Sequence, residues 1–134
     1  MKFLGIDYGL KRIGLATTDP LGIIASPYGV IENKGEERNI TAIKNLCDEL
    51  KIGKIVMGLP LNMNGTESEM SARVREFKNA LEVAVNLEVI LIDERLTSRL
   101  AENTLKEKYG RDYEAVKERV DSVSASVILQ TYIH

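Results

Sequence analysis

Three acidic residues stand where a carboxylate could do chemistry: Asp7 in FLGIDYG, Glu94 in IDERLTS and Asp121 in ERVDSVSAS. Asp7 and Glu94 each close an apolar run that predicts a strand, and Asp121 lies on the flank of a predicted helix. Two carboxylates at adjacent strand ends repel each other unless a cation separates them. Oxygen donors without a histidine or thiolate cluster suit Mg²⁺ or Mn²⁺ better than zinc. Carboxylates that hold two such ions are suited to phosphodiester hydrolysis.

Each acid also has a purely structural interpretation. Asp7 could cap the turn that follows it, Glu94 could pair with Arg95 or cap the next helix, and Asp121 could lie on a solvated helix face. Asp93 competes with Glu94, although alternation puts it on the opposite face of its strand. Spacing alone leaves both sets of interpretations open.

Composition predicts a single domain over residues 1–134, because the chain is 44% hydrophobic and 28% charged. The longest apolar runs are too short to span a bilayer, and we expect neither a secretory signal nor membrane association. Cys47 is the one cysteine, which excludes an internal disulfide and favours a reducing, cytoplasmic location. The one histidine, His134, is terminal, so histidine-based catalysis is not expected. The net charge of −2 argues against nonspecific coating of nucleic acid.

Apolar periodicity predicts the element order β-β-β-α-β-α-β-α-α. The strands after the first are predicted at Ile13–Thr17, at Ile24–Ile31 with an interruption at Pro27, at residues 54–60 and at Glu88–Ile92. The first helix is predicted at Glu36–Lys51, with Cys47 on its apolar stripe.

The later helices are predicted from capping signals and apolar stripes. A capping box of Thr66 and Glu69 begins the second helix, and Thr97 or Ser98 begins a third that runs to about Tyr109. Asp112 caps the last helix, for which we expect a buried valine stripe and small residues that allow close approach to the sheet. The stripe consists of Val116, Val120, Val123 and Val127.

This order predicts an α/β fold with a five-stranded mixed sheet flanked by helices. Three strands joined by short turns form an antiparallel meander, and the crossover strands lie parallel to the first strand. Ligands of such sheets bind at the carboxyl ends of the parallel strands. The ends that carry Asp7, Gly58 and Glu94 should therefore be neighbours.

Four segments in order resemble the bacterial YqgF/RuvX family of the RNase H-like superfamily. They are GIDYGLKRIG, GLPLNMNGTES, DERLTS and VDSVSASVILQTY, and together they extend from residue 5 to residue 132. This family is described both as Holliday junction resolvases and as nucleases that mature the end of pre-16S ribosomal RNA. The resemblance implies an RNase H-like fold, a cytoplasmic location and metal-dependent nuclease chemistry.

The resemblance also implies roles for individual residues. The acidic triad of the family falls on Asp7, Glu94 and Asp121, as catalytic residues and as ligands of Mg²⁺ or Mn²⁺, with two ions expected. Residues matching its basic turn and the segment after the glutamate are interpreted as substrate contacts, and the last of them is alternatively a helix cap. They are Lys11, Arg12, Arg95 and Thr97.

The better-known junction resolvases carry a second aspartate in the last helix, where this chain offers only Glu118. That difference favours processing of the pre-16S RNA end over resolution of Holliday junctions. A non-catalytic RNA-binding factor in ribosome maturation is the alternative function. We expect nucleic acid as the partner, and a monomer or weak homodimer.

Overall fold

The computed structural model describes residues 1–95, residue 107 and residues 117–134, the first three of the last range by backbone only. The described residues form one five-stranded sheet in the order β3-β2-β1-β4-β5. Strands β1 to β3 form the predicted antiparallel meander, and β4 and β5 run parallel to β1 as predicted. The strands are β1 (Phe3–Tyr8), β2 (Arg12–Thr18), β3 (Ala25–Glu32), β4 (Lys54–Leu59) and β5 (Val89–Asp93).

Helices cover both faces of this sheet. Helices α1 (Glu36–Leu50) and α2 (Glu69–Val85) pack on one face, and α3 (Lys117–Ile133) packs across β1 to β4 on the other. The larger core lies beneath α1 and α2, where alternate residues of the strands meet the apolar stripes of the helices. It includes Leu4, Ile6, Ile13, Leu15, Ile43, Met57, Val74, Phe77 and Leu81.

Cys47 is part of this larger core, as predicted from its position on the stripe of α1. Burial raises the pKa of its thiol to about 11, so the group stays neutral and apolar at physiological pH. None of the helices in the described ranges is long and apolar enough to cross a membrane.

The ends of β2 to β5 and of α1 lie within one residue of the predicted ones, and two other features differ from the prediction. Strand β3 continues through Pro27, because it is an edge strand and the pairing shifts between Leu15 and Ala16 to accommodate the residue. The predicted capping box of Thr66 and Glu69 is wrong. Thr66 instead bonds within its own loop, where its hydroxyl donates to Asn64 Oδ1 (2.6 Å).

Helix α2 begins with a reciprocal cap two residues later. Ser68 Oγ accepts from the Ser71 amide (2.9 Å), and Ser71 Oγ accepts from the Ser68 amide (2.7 Å). Ser68 also donates to the carbonyl oxygen of Pro60 (2.6 Å), which ties the end of β4 to the start of α2. Tertiary bonding therefore decides which of the neighbouring hydroxyls caps the helix.

The face that α3 buries also differs from the predicted valine stripe. Val120 is buried, but Val123 and Val127 are only partly buried, and the contact with the sheet is made by small and branched residues beside them. The sheet offers glycines there, so the helix packs with its small residues inward. The buried set also includes Ser122, Ser124, Ala125, Ile128 and Leu129.

Three glycines, Gly5, Gly14 and Gly58, form the part of the sheet against which α3 packs, which we call the glycine bed. A Cβ at Gly5 would lie 2.8 Å from the carbonyl oxygen of Ala125, and one at Gly58 would lie 2.7 Å from Ile128 Cδ1. At Gly14 a Cβ would overlap the carbonyl group of Asp121. The close approach predicted for the last helix is therefore confirmed.

Of the predicted helix from Thr97 or Ser98 to about Tyr109, the structure describes only Glu107, which is helical, and Asp112 and Val116 lie outside the described residues.

We predict that Gly14→Ala destabilises the protein because the new Cβ displaces the backbone of α3. The expected loss is about 1–3 kcal/mol in free energy of unfolding, as for other overpacked contacts, and urea denaturation measures it. Gly29→Ala is the matched control, because Gly29 lies in the same sheet with nothing within 4 Å of its Cβ position. Equal stability of the two variants would contradict the close packing at Gly14.

Candidate active site

The strand registers bring two of the three acids to one edge of the sheet. Asp7 pairs with Gly14 of β2, and the parallel register of β1 with β4 runs to Ile6 and Met57, so Asp7 comes next to Gly58. Gly58 pairs in turn with Ile92 of β5. Glu94 lies two residues after Ile92, so it comes to the same edge. The prediction that these strand ends are neighbours is confirmed.

Asp7 faces the side of the sheet that α3 covers. Side chains alternate along β1, so Asp7 shares a face with Phe3 and Gly5. Phe3 contacts Tyr132 of α3 edge to face, with 6.0 Å between the ring centroids, and Gly5 lies beneath the same helix. Asp7 therefore points into the layer between sheet and helix, at the end where β1 stops.

Glu94 is buried on this face, with 8% of its surface exposed. Its carboxylate lies over Gly58, where Oε2 is 2.6 Å from the position that a Cβ would take. Its backbone amide donates to the carbonyl oxygen of Leu59 (3.2 Å). The missing side chain at Gly58 therefore makes the room in which a carboxylate can lie within the core layer.

Asp121 lies across from these two acids, on the sheet-facing side of α3. Its carbonyl group packs on Gly14, the residue that pairs with Asp7. Its carboxylate accepts a hydrogen bond from Arg12, with 2.7 Å between Nε and Oδ2. The side chains of Arg12 and Asp121 keep 29% and 25% of their surface exposed, so both reach the solvent at the rim of the layer.

The three acids offer only oxygen donors, which is the donor set that Mg²⁺ and Mn²⁺ prefer. The chemistry of the residues therefore fits the cation that the sequence predicts. Among the residues that the structure describes, no three His, Cys, Asp or Glu side chains are grouped closely enough to hold one metal ion. The observed partner of Asp121 is the guanidinium of Arg12.

Asp93, the competing acid, has a different role. It is exposed on the opposite face, as alternation predicted, and its carboxylate forms an ion pair with Arg95 (2.7 Å). Hydrogen bonds from the Arg95 guanidinium hold the pKa of Asp93 below its usual range. Arg95 Nη1 also donates to the carbonyl oxygen of Met63 (3.1 Å). Arg95 therefore joins the end of β5 to the loop between β4 and α2. The predicted contact of Arg95 with substrate would be a second role.

The predicted basic turn lies between β1 and β2, where Lys11 is exposed and Arg12 begins β2. Both residues line a groove of about 600 Å³ together with Leu10, Val30, Glu32 and Asn33. This groove runs beside the acidic site, and Arg12 belongs to both.

Asparagines hold this turn in place. The side-chain Nδ2 of Asn33 donates to the carbonyl oxygen of Gly9 (2.8 Å), and its backbone N–H donates to the carbonyl oxygen of Lys11 (2.9 Å). Asn39 of α1, 1% exposed, donates to Asn33 Oδ1 (2.8 Å) and accepts from the Lys34 amide (3.0 Å). A buried amide in α1 thus sets the position of the cationic turn.

Two further arginines, Arg73 and Arg75 of α2, form ion pairs with Glu69 and Glu67. Thr97 lies outside the described residues, as does the side chain of Glu118.

Sequence reasoning placed Gly58 at this edge but missed that it makes room for Glu94, and it missed the supporting residues Asn33 and Asn39. The role of Gly58 carries a signal, since a glycine inside an apolar strand often marks a close approach of another group. The two asparagines carry none, because their partners are distant backbone groups.

Comparison with known proteins gives consistent matches over the whole chain. A family model described as "RuvX: Holliday junction resolvase" matches residues 1–134. A protein of Endomicrobium trichonymphae named "Putative pre-16S rRNA nuclease" is 44% identical over 132 residues, which cover 98% of this chain and 94% of the relative. A Syntrophomonas wolfei protein of the same name is 40% identical over 133 residues, covering 99% and 94%.

Solved structures support the fold. Thermus thermophilus RuvC in complex with a Holliday junction substrate superposes with a TM-score of 0.64 at 14% identity, covering 99% of this chain and 94% of that chain. The Fowlpox virus resolvase bound to Holliday junction DNA gives a TM-score of 0.60 at 9% identity, covering 99% and 97%. The α/β, RNase H-like fold expected from the sequence is confirmed.

We predict that Asn39→Ala destabilises the protein and loosens the basic turn, because Asn33 and the Lys34 amide lose a buried partner. The expected loss is about 1–3 kcal/mol in free energy of unfolding, with faster hydrogen exchange at the Asn33 amide. Asn45→Ala, on an exposed position of the same helix, is the control and should stay within about 0.5 kcal/mol of the wild type. If both variants behave alike, the buried asparagine does not support the turn.

Proposed function

The chain belongs to the RuvX family, and from that premise we propose that it is a nuclease that uses Mg²⁺ or Mn²⁺ to process the end of pre-16S ribosomal RNA. The observation that supports this proposal is that Asp7 pairs with Gly14, Glu94 lies over Gly58 and Asp121 packs on Gly14, so that all three acids lie on the part of the sheet that α3 covers. The substrate is taken from the name that the relatives share, "Putative pre-16S rRNA nuclease".

Asp7, Glu94 and Asp121 are the residues that would hold the ions, with two ions as the expected number. When bound, such ions activate a water molecule as the nucleophile and neutralise charge at the scissile phosphate. The chemistry needs no histidine base, and the one histidine of the chain is at its C-terminus.

The protein residues position these charges and exclude water from part of the site. Glu94 lies in the core layer, where electrostatic interactions are stronger than in bulk water. The site opens towards the groove at the basic turn, where Lys11 and Arg12 can contact phosphates. Arg95 and Thr97 follow Glu94 in the chain and are the further candidates for substrate contact.

A Holliday junction is the second candidate substrate, because the family model carries that description. A resolvase makes two symmetric cuts, which requires a two-fold dimer with two sites. Four basic residues lie close in the sequence to Asp7 or Glu94, and they are Lys11, Arg12, Arg95 and Arg99. Four charges give a modest phosphate footprint, which favours a single-strand cut in RNA by a cytoplasmic monomer or weak homodimer.

We predict that the purified protein with Mn²⁺ cleaves a pre-16S RNA fragment and leaves a mobile four-way DNA junction uncut. Asp7→Asn, Glu94→Gln and Asp121→Asn should each lower the rate about 10²-fold or more, because loss of several kcal/mol of charge stabilisation costs tenfold for about every 1.4 kcal/mol. Glu88→Gln, the same change at the far end of β5, is the control. Glu88 is exposed and pairs with Lys54 (3.2 Å).

Three results of this assay would contradict the proposal in different ways. Paired symmetric nicks in the junction with intact RNA would mean that the protein is a nuclease whose substrate is the DNA junction and not the RNA. RNA binding without cleavage of either substrate would favour a non-catalytic maturation factor. Equal activity of Glu94→Gln and Glu88→Gln would remove Glu94 from the active site.

A further inference from the structure

Arg12 and Asp121 form an ion pair across the edge of the proposed site. The distance between Arg12 Nε and Asp121 Oδ2 is 2.7 Å, the length of a charge-assisted hydrogen bond. Both side chains are about three-quarters buried, so solvent screens the pair less than it screens a fully exposed one. The pair therefore joins the basic turn to one of the three acids.

The backbone of Asp121 has little freedom, because its carbonyl group packs on Gly14. Its carboxylate can change partner through rotation of the side chain, without movement of α3. In the described structure this carboxylate is bonded to Arg12, and no three acidic side chains among the described residues are grouped closely enough for one metal ion. The guanidinium thus occupies the carboxylate that a divalent cation would need.

Arg12 also lies where a phosphate of a bound nucleic acid could contact it. It lines the groove of about 600 Å³ with Lys11 and Asn33, at the rim of the site. A guanidinium binds phosphate through two parallel hydrogen bonds, so a nucleic-acid phosphate in this groove is a strong competitor for Arg12. Movement of Arg12 to that phosphate would leave the Asp121 carboxylate to the cation.

We propose that Arg12 is a positioning residue that couples divalent-cation binding to nucleic-acid binding. The guanidinium holds Asp121 until a phosphate in the groove draws it away, and Asp121 then joins the cation site. This inference rests on the proposed function, because it takes Asp121 as a ligand. Linkage requires that nucleic acid and cation strengthen each other's binding by the same factor, and such couplings amount to about 5–150-fold.

The test is the affinity for Mn²⁺ alone, measured by calorimetry and by the electron paramagnetic resonance signal of free Mn²⁺. Arg12→Met removes the competitor, so the Kd for Mn²⁺ should fall about three- to tenfold. Lys11→Met removes the same charge from the neighbouring exposed residue and should change the Kd less than about twofold, since exposed charges are screened. Thermal melts in EDTA establish that both variants are folded.

A double-mutant cycle isolates the contact with Asp121. Asp121→Asn should weaken Mn²⁺ binding, and Arg12→Met should give no gain when added to Asp121→Asn. If Arg12→Met raises the affinity for Mn²⁺ equally in the wild type and in Asp121→Asn, Arg12 acts only through its charge. That result would overturn the inference.

The second measurement repeats the Mn²⁺ titration with a saturating phosphorothioate fragment of pre-16S RNA, which keeps the backbone charges and resists cleavage. The wild type should gain at least about fivefold in affinity for Mn²⁺ from the RNA, and Arg12→Met should gain less. An equal gain in Arg12→Met would overturn the coupling role.

The two proposals fail in different ways. If Asp121→Asn loses Mn²⁺ binding while Arg12→Met binds like the wild type, only the role of Arg12 is wrong. If neither the wild type nor any variant binds Mn²⁺, with or without RNA, the metal-dependent function fails and the inference fails with it.

Discussion

The contact of α3 with the glycine bed is the constraint on which the candidate site depends. Gly5, Gly14 and Gly58 belong to three neighbouring strands and lack the side chains that would hold the helix away from the sheet. The resulting gap is narrow enough for Asp121 to pack on the strand that pairs with Asp7. The same absence of a Cβ at Gly58 makes room for Glu94. Stability and site geometry therefore have one common cause.

Much of this arrangement follows from the sequence because it depends on local patterns. Apolar runs and short turns predict the meander and the crossover strands, and strand polarity then brings Asp7 and Glu94 to one edge. The inward face of α3 could not be predicted in this way, because the valine period competes with a row of small residues. The glycines that decide between the two faces lie about sixty to one hundred and twenty residues earlier in the chain. The cap at Ser68 depends likewise on a tertiary partner, Pro60.

The acidic and basic side chains of the site differ in their exposure to solvent. Glu94 lies buried between sheet and helix, Asp121 lies at the rim in contact with Arg12, and Lys11 and Arg12 line the groove. A net charge of −2 over the chain is compatible with binding a polyanion because Lys11 and Arg12 lie together at the groove. Asn33 holds that turn and is itself bonded to Asn39 of α1, so the helix layer on the other face of the sheet also contributes to the geometry of the site.

The most direct test of the proposed cation site is a crystal structure of the protein bound to Mn²⁺ and the phosphorothioate RNA fragment, with the cation located by its anomalous scattering. We expect a peak between β1, β5 and α3, at about 2.0–2.3 Å from carboxylate oxygens of Asp7 and Glu94, with Asp121 turned towards it and Arg12 on an RNA phosphate. A peak bound only elsewhere on the surface, with Glu94 still packed over Gly58 and Asp121 still paired with Arg12, would contradict the proposed cation site.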